Sequence, residues 1–273
     1  MVRGRILAEE TRQDFLTIGY PSPLVRPYVS YYFEVRQAKD AAPFRVNGLP
    51  SANSLLMVNL GDASWTSRNE YSGGIVRHAG VQVLGQSSVL HSGLYDAGVQ
   101  AFFVKLRPGV ASVLFREEAS SFTNQQADLS CFWRDHYLEE RLREAPGFRE
   151  RVQLIELLLF EKIGHDKHWE RVLQLGKICR AFEGVQTRIA KEVGQVVASN
   201  WFGQSTARRE FLRYVGFSPK YCQRAARFKN ALKLYQQHGS RFLAEDYGYT
   251  DFSHFVREAK GLTGLGPAPL AGR

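Results

Sequence analysis

Arg209–Pro219 reads REFLRYVGFSP and Arg257–Pro267 reads REAKGLTGLGP, and the two segments lie 48 residues apart. In that register Arg, Glu, Gly and Pro coincide, and Ser205 falls on Ser253. A duplicated helical unit that closes in Gly-x-x-Pro points to two copies of one supersecondary motif. Each copy carries a short helix, a Gly-containing turn and a second amphipathic helix, the helix-turn-helix arrangement. In the second copy Phe242–Leu243–Ala244 is expected as the first helix, Gly248–Tyr249–Thr250 as the turn and Asp251–Lys260 as the second helix. Asp251 suits the N-cap, because its carboxylate accepts bonds from the orphan amides of the first turn.

The charge follows the repeat. The chain of 273 residues has 36 Lys and Arg against 27 Asp and Glu, a formal +9. From Arg171 onward there are 17 basic and 7 acidic residues, net +10, whereas Met1–Glu170 nets −1. Segregation on that scale points to a nucleic-acid or anionic-surface module joined to a neutral one. A solvated basic face without a partner is the other reading. With 44% hydrophobic and 23% charged residues, wholesale disorder is excluded. The longest apolar cluster, Leu154–Phe160, contains Glu156 and falls well short of the roughly 18–20 apolar residues a bilayer requires. The segment MVRGRILAEETRQDF lacks the apolar core of a signal peptide, so a cytoplasmic location without membrane attachment is expected. Cys131, Cys179 and Cys222 are widely spaced and odd in number, against a disulfide scaffold or zinc knuckle.

Upstream of the basic half the periodicity is that of strands. Val29–Val35, Ser54–Leu60, Val81–Leu84 and Val99–Leu106 are rich in β-branched and aromatic residues, punctuated at Asn47–Gly48, Gly61–Asp62 and Gly73–Gly74. Phe102, Val104 and Leu106 share one face of their strand, and Ala101, Phe103 and Lys105 the other. A small antiparallel barrel or sandwich is predicted. After Arg107–Pro108–Gly109 the period changes. Phe148–Ile163 puts Phe148, Val152, Ile155 and Leu159 on one helical stripe with Arg and Glu opposite, after a break at Pro146–Gly147. That stripe reads either as intramolecular core or as a homodimer surface. Further helices are expected over Trp169–Phe182, Thr187–Ser199, Gln204–Val215, Pro219–His238, Ser240–Tyr247 and Asp251–Thr263, with breaks at Gly184, Gly203, Gly216–Pro219, Gly239, Gly248 and Gly264–Pro267.

GYTDFSHFVREAKGLTGLGP resembles the second helix-turn-helix of the AraC/XylS family of bacterial transcriptional regulators, and GFSPKYCQRAARFKNAL resembles that family's turn and joining helix. LPSANSLLMVNLG, VLGQ and FFVKLRPGVASVLF resemble the sensor domain of a subgroup of these regulators. The resemblance implies an α+β chain: an N-terminal, cupin-like antiparallel β-barrel sensor over residues 1–128, a helical linker with a dimerising role over 129–168, and an all-α domain with two helix-turn-helix units over 169–273. It further implies double-stranded DNA, a small-molecule effector and RNA polymerase as partners. The two second helices would enter successive major grooves about 34 Å apart.

The family's base-facing positions transfer to Ser205, Thr206, Arg208 and Arg209 in the first unit and to Phe252, Ser253, His254, Val256 and Arg257 in the second. Arg at such a position can bond guanine O6 and N7 together, whereas Phe252 and Val256 offer only apolar contact. Lys220, Arg224, Arg227, Lys229 and Lys260 are expected at phosphates, which fix register without reading sequence. Arg209 and Arg257 have a second reading as structural partners of neighbouring Glu, and His254 as a residue that holds its helix. Departures from the family pattern cluster in the first unit, at Val196–Val197, Trp201, Gly203 and Ala207, with Ala259 and Gly266 in the second. Ala207 in place of Leu forgoes about 2–3 kcal/mol unless Trp201 and Phe202 fill the space.

Chemistry is sparse in the neutral half. His78 and His91 stand 13 residues apart and His136 is expected in a helix, unlike the close His-x-His and following Glu of metal-binding cupins. Cys131 and His136 lack an orienting third group, and Gly93–Gly98 reads as a turn rather than a phosphate loop. No catalytic residue, metal or cofactor is expected. Tyr31, Tyr32, Phe33, Trp65, Tyr95, Phe102 and Phe103, interspersed with Arg36, Arg45, Arg77 and Lys105, read as an effector pocket by resemblance and as packing by composition. A cupin-type small-molecule enzyme with a vestigial helical appendage, and a degenerate regulator acting through protein contacts, are the competing readings.

Overall fold

The computed structural model describes residues 15–133, 135, 137–163, 168–183, 196–197 and 203–271. Its first half is built from β1 (Leu16–Gly19), β2 (Val29–Arg36), β3 (Phe44–Gly48), β4 (Ser54–Asn59), β5 (Trp65–Asn69), β6 (Ile75–His78), β7 (Val81–Leu84), β8 (His91–Tyr95), β9 (Gln100–Leu106) and β10 (Gln126–Asp128). They form a six-stranded sheet ordered β1-β2-β9-β4-β7-β10 and a four-stranded sheet ordered β3-β8-β5-β6. Every pairing is antiparallel. The second half is helical, giving the α+β class that the sequence predicts.

The six-stranded sheet works on both faces. In β9, Phe103 and Ala101 join Phe33, Met57, Trp65 and Tyr95 in an apolar cluster between the two sheets. Phe102, Val104 and Leu106 point the other way, into the core shared with the helices. The alternation read from the sequence therefore divides the two layers. Asn47–Gly48, expected as punctuation, is the end of β3, paired with Ser92 and His91. Gly93 to Tyr95 is likewise strand and not turn, since Gly93 pairs with both Val46 and Ser67. Neither strand has the apolar run that marks β9, because β3 and β8 lie at the thinner four-stranded sheet.

The helices are α1 (Val110–Leu114), α2 (Leu138–Glu144), α3 (Phe148–Ile163), α4 (Trp169–Glu183), α5 (Gln204–Glu210), α6 (Pro219–His238), α7 (Phe252–Thr263) and α8 (Pro267–Leu270). In α3, Ile155 and Leu159 are buried and Phe148 lies edge-on to Phe102. The predicted stripe is thus intramolecular core. The opposite face is not simply Arg and Glu: Leu157 and Phe160 stand exposed there at 70% and 60%. Arg151 is buried instead, where its guanidinium lies 3.6 Å from Glu34 and donates to Leu142 O at 3.0 Å.

The helix expected over Thr187–Ser199, with Gly184, Trp201 and Phe202, lies outside the described residues except for Val196 and Val197, which are helical and buried. His136 lies outside them too. Ser240–Tyr247 is not an α-helix but two short 3-10 turns, Gly239–Arg241 and Ala244–Tyr247, with Phe242 and Leu243 extended between them. Glycines close to both ends leave too few residues to nucleate an α-helix. Among the described residues, no helix is long and apolar enough to cross a membrane.

Candidate functional site

The 48-residue repeat is a repeat of physical roles. Gly216 and Gly264 end their units in the left-handed region at φ +80° and +75°, which costs Gly nothing and other residues about 1–2 kcal/mol. Pro219 and Pro267 each open the next helix, where the missing N–H is harmless. Ala207 and Phe211 are both fully buried in the first unit, and Phe255 and Ala259 at the same positions in the second. Small and large have changed places one turn apart, so the volume that Ala207 lacks is supplied by Phe211.

The repeated Glu is the inward residue of each unit. Glu258 is 7% exposed and accepts from Arg227 Nη2 at 2.7 and 2.8 Å, Arg224 Nε at 3.2 Å and Tyr249 Oη at 2.9 Å. Glu210 is 6% exposed and lies 3.2 Å from Arg171 of α4. The neighbouring Arg209 and Arg257 stand exposed. Arg209 approaches Glu210 only at 3.8 Å.

Ser205, Arg208 and Arg209 are exposed along α5, with Thr206 half-buried. On α7, Phe252, Ser253 and Arg257 are exposed and Val256 is half-buried. Asp251 caps α7 by accepting from the His254 amide at 2.6 Å. His254 serves its own helix: Nδ1 accepts from the Thr250 amide at 3.2 Å, and the ring lies edge-on to Tyr249. Gly203 offers α5 no such cap. Ser205 sits past it, within the helix.

Of the residues expected at phosphates, Lys220 and Lys260 are exposed. Arg224 is half-exposed while bonded to Glu258. Arg227 and Lys229 are turned to other work. The Arg227 guanidinium forks onto Glu258, donates to Gly248 O at 3.0 Å and covers the Tyr249 ring at 4.5 Å. Lys229 lines a cavity of the β-sheet half. Spacing along α6 marks both as basic, but only the packing of α6 between two neighbours reveals that they face inward.

That cavity, about 290 Å³, lies between the two sheets. Tyr31, Phe33, Trp65, Tyr95 and Phe103 give it aromatic walls. Its polar wall includes Ser67, His78, His91 and Lys105, and Lys229 reaches it from α6. Ser67 Oγ lies 2.6 Å from His78 Nε2, and His78 Nδ1 lies 2.9 Å from Gln82 Oε1. Burial holds both His78 and His91 below the ordinary histidine range, so each stays neutral near pH 7. Glu70 opposes that shift at His91. Among the described residues, no group of three or more His, Cys, Asp or Glu converges to hold a metal ion.

One segment joins cavity and helical units. Gly85, Ser87 and Asn124 line the cavity. Gln86, between them, donates to Thr123 Oγ1 at 2.8 Å, and a Cβ added at Gly216 would collide with Gln86 and meet Thr123 Oγ1 at 2.8 Å. Tyr221 of α6 donates from Oη to Ser88 O at 3.2 Å. Burial pushes the Tyr221 hydroxyl up to about 12, so it remains a donor. Ser112 Oγ donates to Tyr214 O at 2.9 Å, and Leu90 is buried in one cluster with Phe228 and Leu232 of α6 and Phe255 of the second unit.

Fold and site thus define a two-part molecule, a cavity-bearing pair of antiparallel sheets packed on a helical half of duplicated units. A family model described as a domain of unknown function (DUF6597) matches residues 19–128. No curated protein matches the chain. Among solved structures the chain is similar to ToxT from Vibrio cholerae O395, with 9% identity and a TM-score of 0.43 over 95% of this chain and 98% of that one. It is similar to unsaturated fatty acid bound wild-type ToxT from Vibrio cholerae strain SCE256, with 9% identity and a TM-score of 0.45 over 96% and 97%. A third, ToxT from Vibrio cholerae O395 bound to (E)-4-(8-methylnaphthalen-1-yl)but-3-enoic acid, gives 10% identity and a TM-score of 0.44 over 94% and 99%.

Proposed function

We propose that the chain is a sequence-specific DNA-binding transcription regulator of AraC/XylS type, with a small-molecule sensor in residues 1–128, a helical linker in 129–168 and the DNA-binding pair in 169–273. The observation that carries this reading is the duplicated unit, in which a buried Glu and a left-handed Gly recur 48 residues apart beside exposed Arg209 and Arg257. Arg208, Arg209 and Arg257 are the base readers of the proposal, with Ser205, Thr206, Ser253 and Val256 beside them. Lys220 and Lys260 hold phosphates. His254 positions α7 rather than reading a base. The effector is a small molecule seated between aromatic walls, where Lys229 lets it touch α6 directly. Occupancy then biases how the two units are held, as differential affinity for two states requires. Such a regulator acts in the cytoplasm, engages RNA polymerase at its promoter, and pairs with a second copy through Leu157 and Phe160 of α3.

Selection of duplex DNA from a random pool by the full-length protein tests the proposal. Two half-motifs about one helical turn apart are expected. Affinity should fall with log salt by about 0.9 per phosphate neutralised. Arg208→Ala should cost about 1–3 kcal/mol and relax one position of the selected site. A pool that stays unenriched at low salt would falsify the reading.

A further inference from the structure

We propose that Ser67, His78 and Gln82 form a nucleophilic triad, through which the cavity between the sheets captures the acyl group of an activated ester or thioester on Ser67. Ser67 and His78 stand on paired strands of the four-stranded sheet, β5 and β6, and Gln82 comes from β7 of the facing six-stranded sheet, so that the three form a single hydrogen-bonded row across the two sheets. Ser67 and His78 line the cavity, and Gln82 stands behind them. Gln82 Oε1 only accepts, so His78 Nδ1–H donates to it at 2.9 Å and Nε2 is left without a hydrogen. Ser67 Oγ–H then donates to His78 Nε2 at 2.6 Å, the order in which an imidazole activates a serine. Burial, which keeps His78 neutral, keeps that base unprotonated near pH 7. The Trp65 ring stacks on the imidazole at 4.0 Å with planes 21° apart, and an aromatic face favours the imidazolium that forms during attack. A cavity of about 290 Å³ with aromatic walls takes an aryl or short acyl group.

In the step itself, Ser67 Oγ bonds to the carbonyl carbon and its proton passes to His78 Nε2. The tetrahedral adduct collapses, the bond from that carbon to the leaving oxygen or sulfur breaks, and the leaving group takes the electron pair. His78 Nε2–H returns the proton to it, so ester and serine become acyl-serine and alcohol or thiol. Water attacks the acyl-serine by the same route and restores Ser67 with release of the acid. Gln82 is a positioning residue: it fixes the tautomer but brings no negative charge to the imidazolium. Turnover is therefore slow and the acyl-serine long-lived. The inference rests on the cavity alone and does not depend on DNA binding.

The test is to incubate the full-length protein with a fluorophosphonate probe and, separately, with p-nitrophenyl butyrate, and to map adducts by peptide mass spectrometry. A single phosphonyl adduct on Ser67 is expected, together with p-nitrophenol release that drops about a hundredfold in Ser67→Ala, the scale of a positioned general base acting on its nucleophile. Labelling should rise with pH along a histidine titration. Gln82→Glu, which puts a carboxylate behind the ring, should move that titration upward and speed acylation, whereas a merely structural Gln82 would leave both unmoved. Ser67 unlabelled in the folded wild-type protein, or labelling without a histidine titration, overturns the proposal. The wild-type adduct map decides the matter even where a variant does not fold.

Discussion

Glu258 gathers four donors inside the second unit, and removing its charge tests what holds that unit together. Arg227 and Tyr249 are packed against each other, so Glu258→Gln leaves a partly buried cation without its counter-charge and one accepting oxygen fewer for the guanidinium and the Tyr249 hydroxyl. Breaking a buried pair costs roughly 3–5 kcal/mol. Arg224 and Arg227 keep 41% and 25% exposure, which lowers the expected cost of Glu258→Gln to about 2–3 kcal/mol. Glu210→Gln should cost less, because its partner Arg171 is 47% exposed. Denaturant midpoints of the two variants measure the difference, and equal losses would contradict it. At this scale the repeat was legible and its meaning was not. The sequence pattern marks the matched Arg as the chemistry-bearing residue, yet the matched Glu is the buried, ion-paired residue of each unit. A periodic pattern identifies recurring residues, while burial alone separates the inward carboxylate from the outward guanidinium.

At the scale of elements, strongly periodic segments were readable to their ends: α3, α6 and β7 run over the residues predicted for them. The short strands of the four-stranded sheet were not, because five residues such as HSGLY and FRVNG lack an apolar alternation and are made strands by their partners. The aromatic wall of the cavity is foreshadowed by resemblance, but its polar row is not, since Ser67 and His78 meet on paired strands and Gln82 reaches them only because the two sheets face each other. The two closing glycines offer a controlled comparison. Gly216 and Gly264 share a left-handed backbone, but nothing lies within 4 Å of a Cβ at Gly264, whereas one at Gly216 meets Gln86 and Thr123. Gly264→Ala should therefore cost only the backbone strain, about 1 kcal/mol. Gly216→Ala should cost clearly more, because it also pushes the first unit off the sheets. Unfolding free energies of the pair isolate that contact, and indistinguishable values would show that Gln86 and Thr123 yield without cost.

For the whole molecule, charge divides what packing joins. The net charge changes sign near Glu170, yet one apolar cluster runs from Tyr32 and Phe102 in the sheets through Ile155 of α3 to Val172, Phe211 and Val215 of the first unit. A fragment cut near residue 169 would expose that face, so the full-length chain is the proper sample for testing the proposed DNA binding. The second unit has its own core, tied back by Leu90, which leaves the sheet half and packs among Phe228, Leu232 and Phe255 at 1% exposure. If these two seams couple the parts, heating should unfold the full-length chain in a single cooperative transition, with calorimetric and van't Hoff enthalpies that agree. Leu90→Ala removes the tie without touching a polar group. It should cost about 2–4 kcal/mol, within the range for truncating a buried leucine, and let the second unit melt ahead of the rest. Scanning calorimetry of the two proteins decides between a coupled molecule and two tethered ones. Two resolved transitions already present in the wild type would mean that Leu90 is packed but does not transmit, and that a molecule bound between the sheets must reach the second unit by other contacts, such as Lys229 of α6 and Leu49.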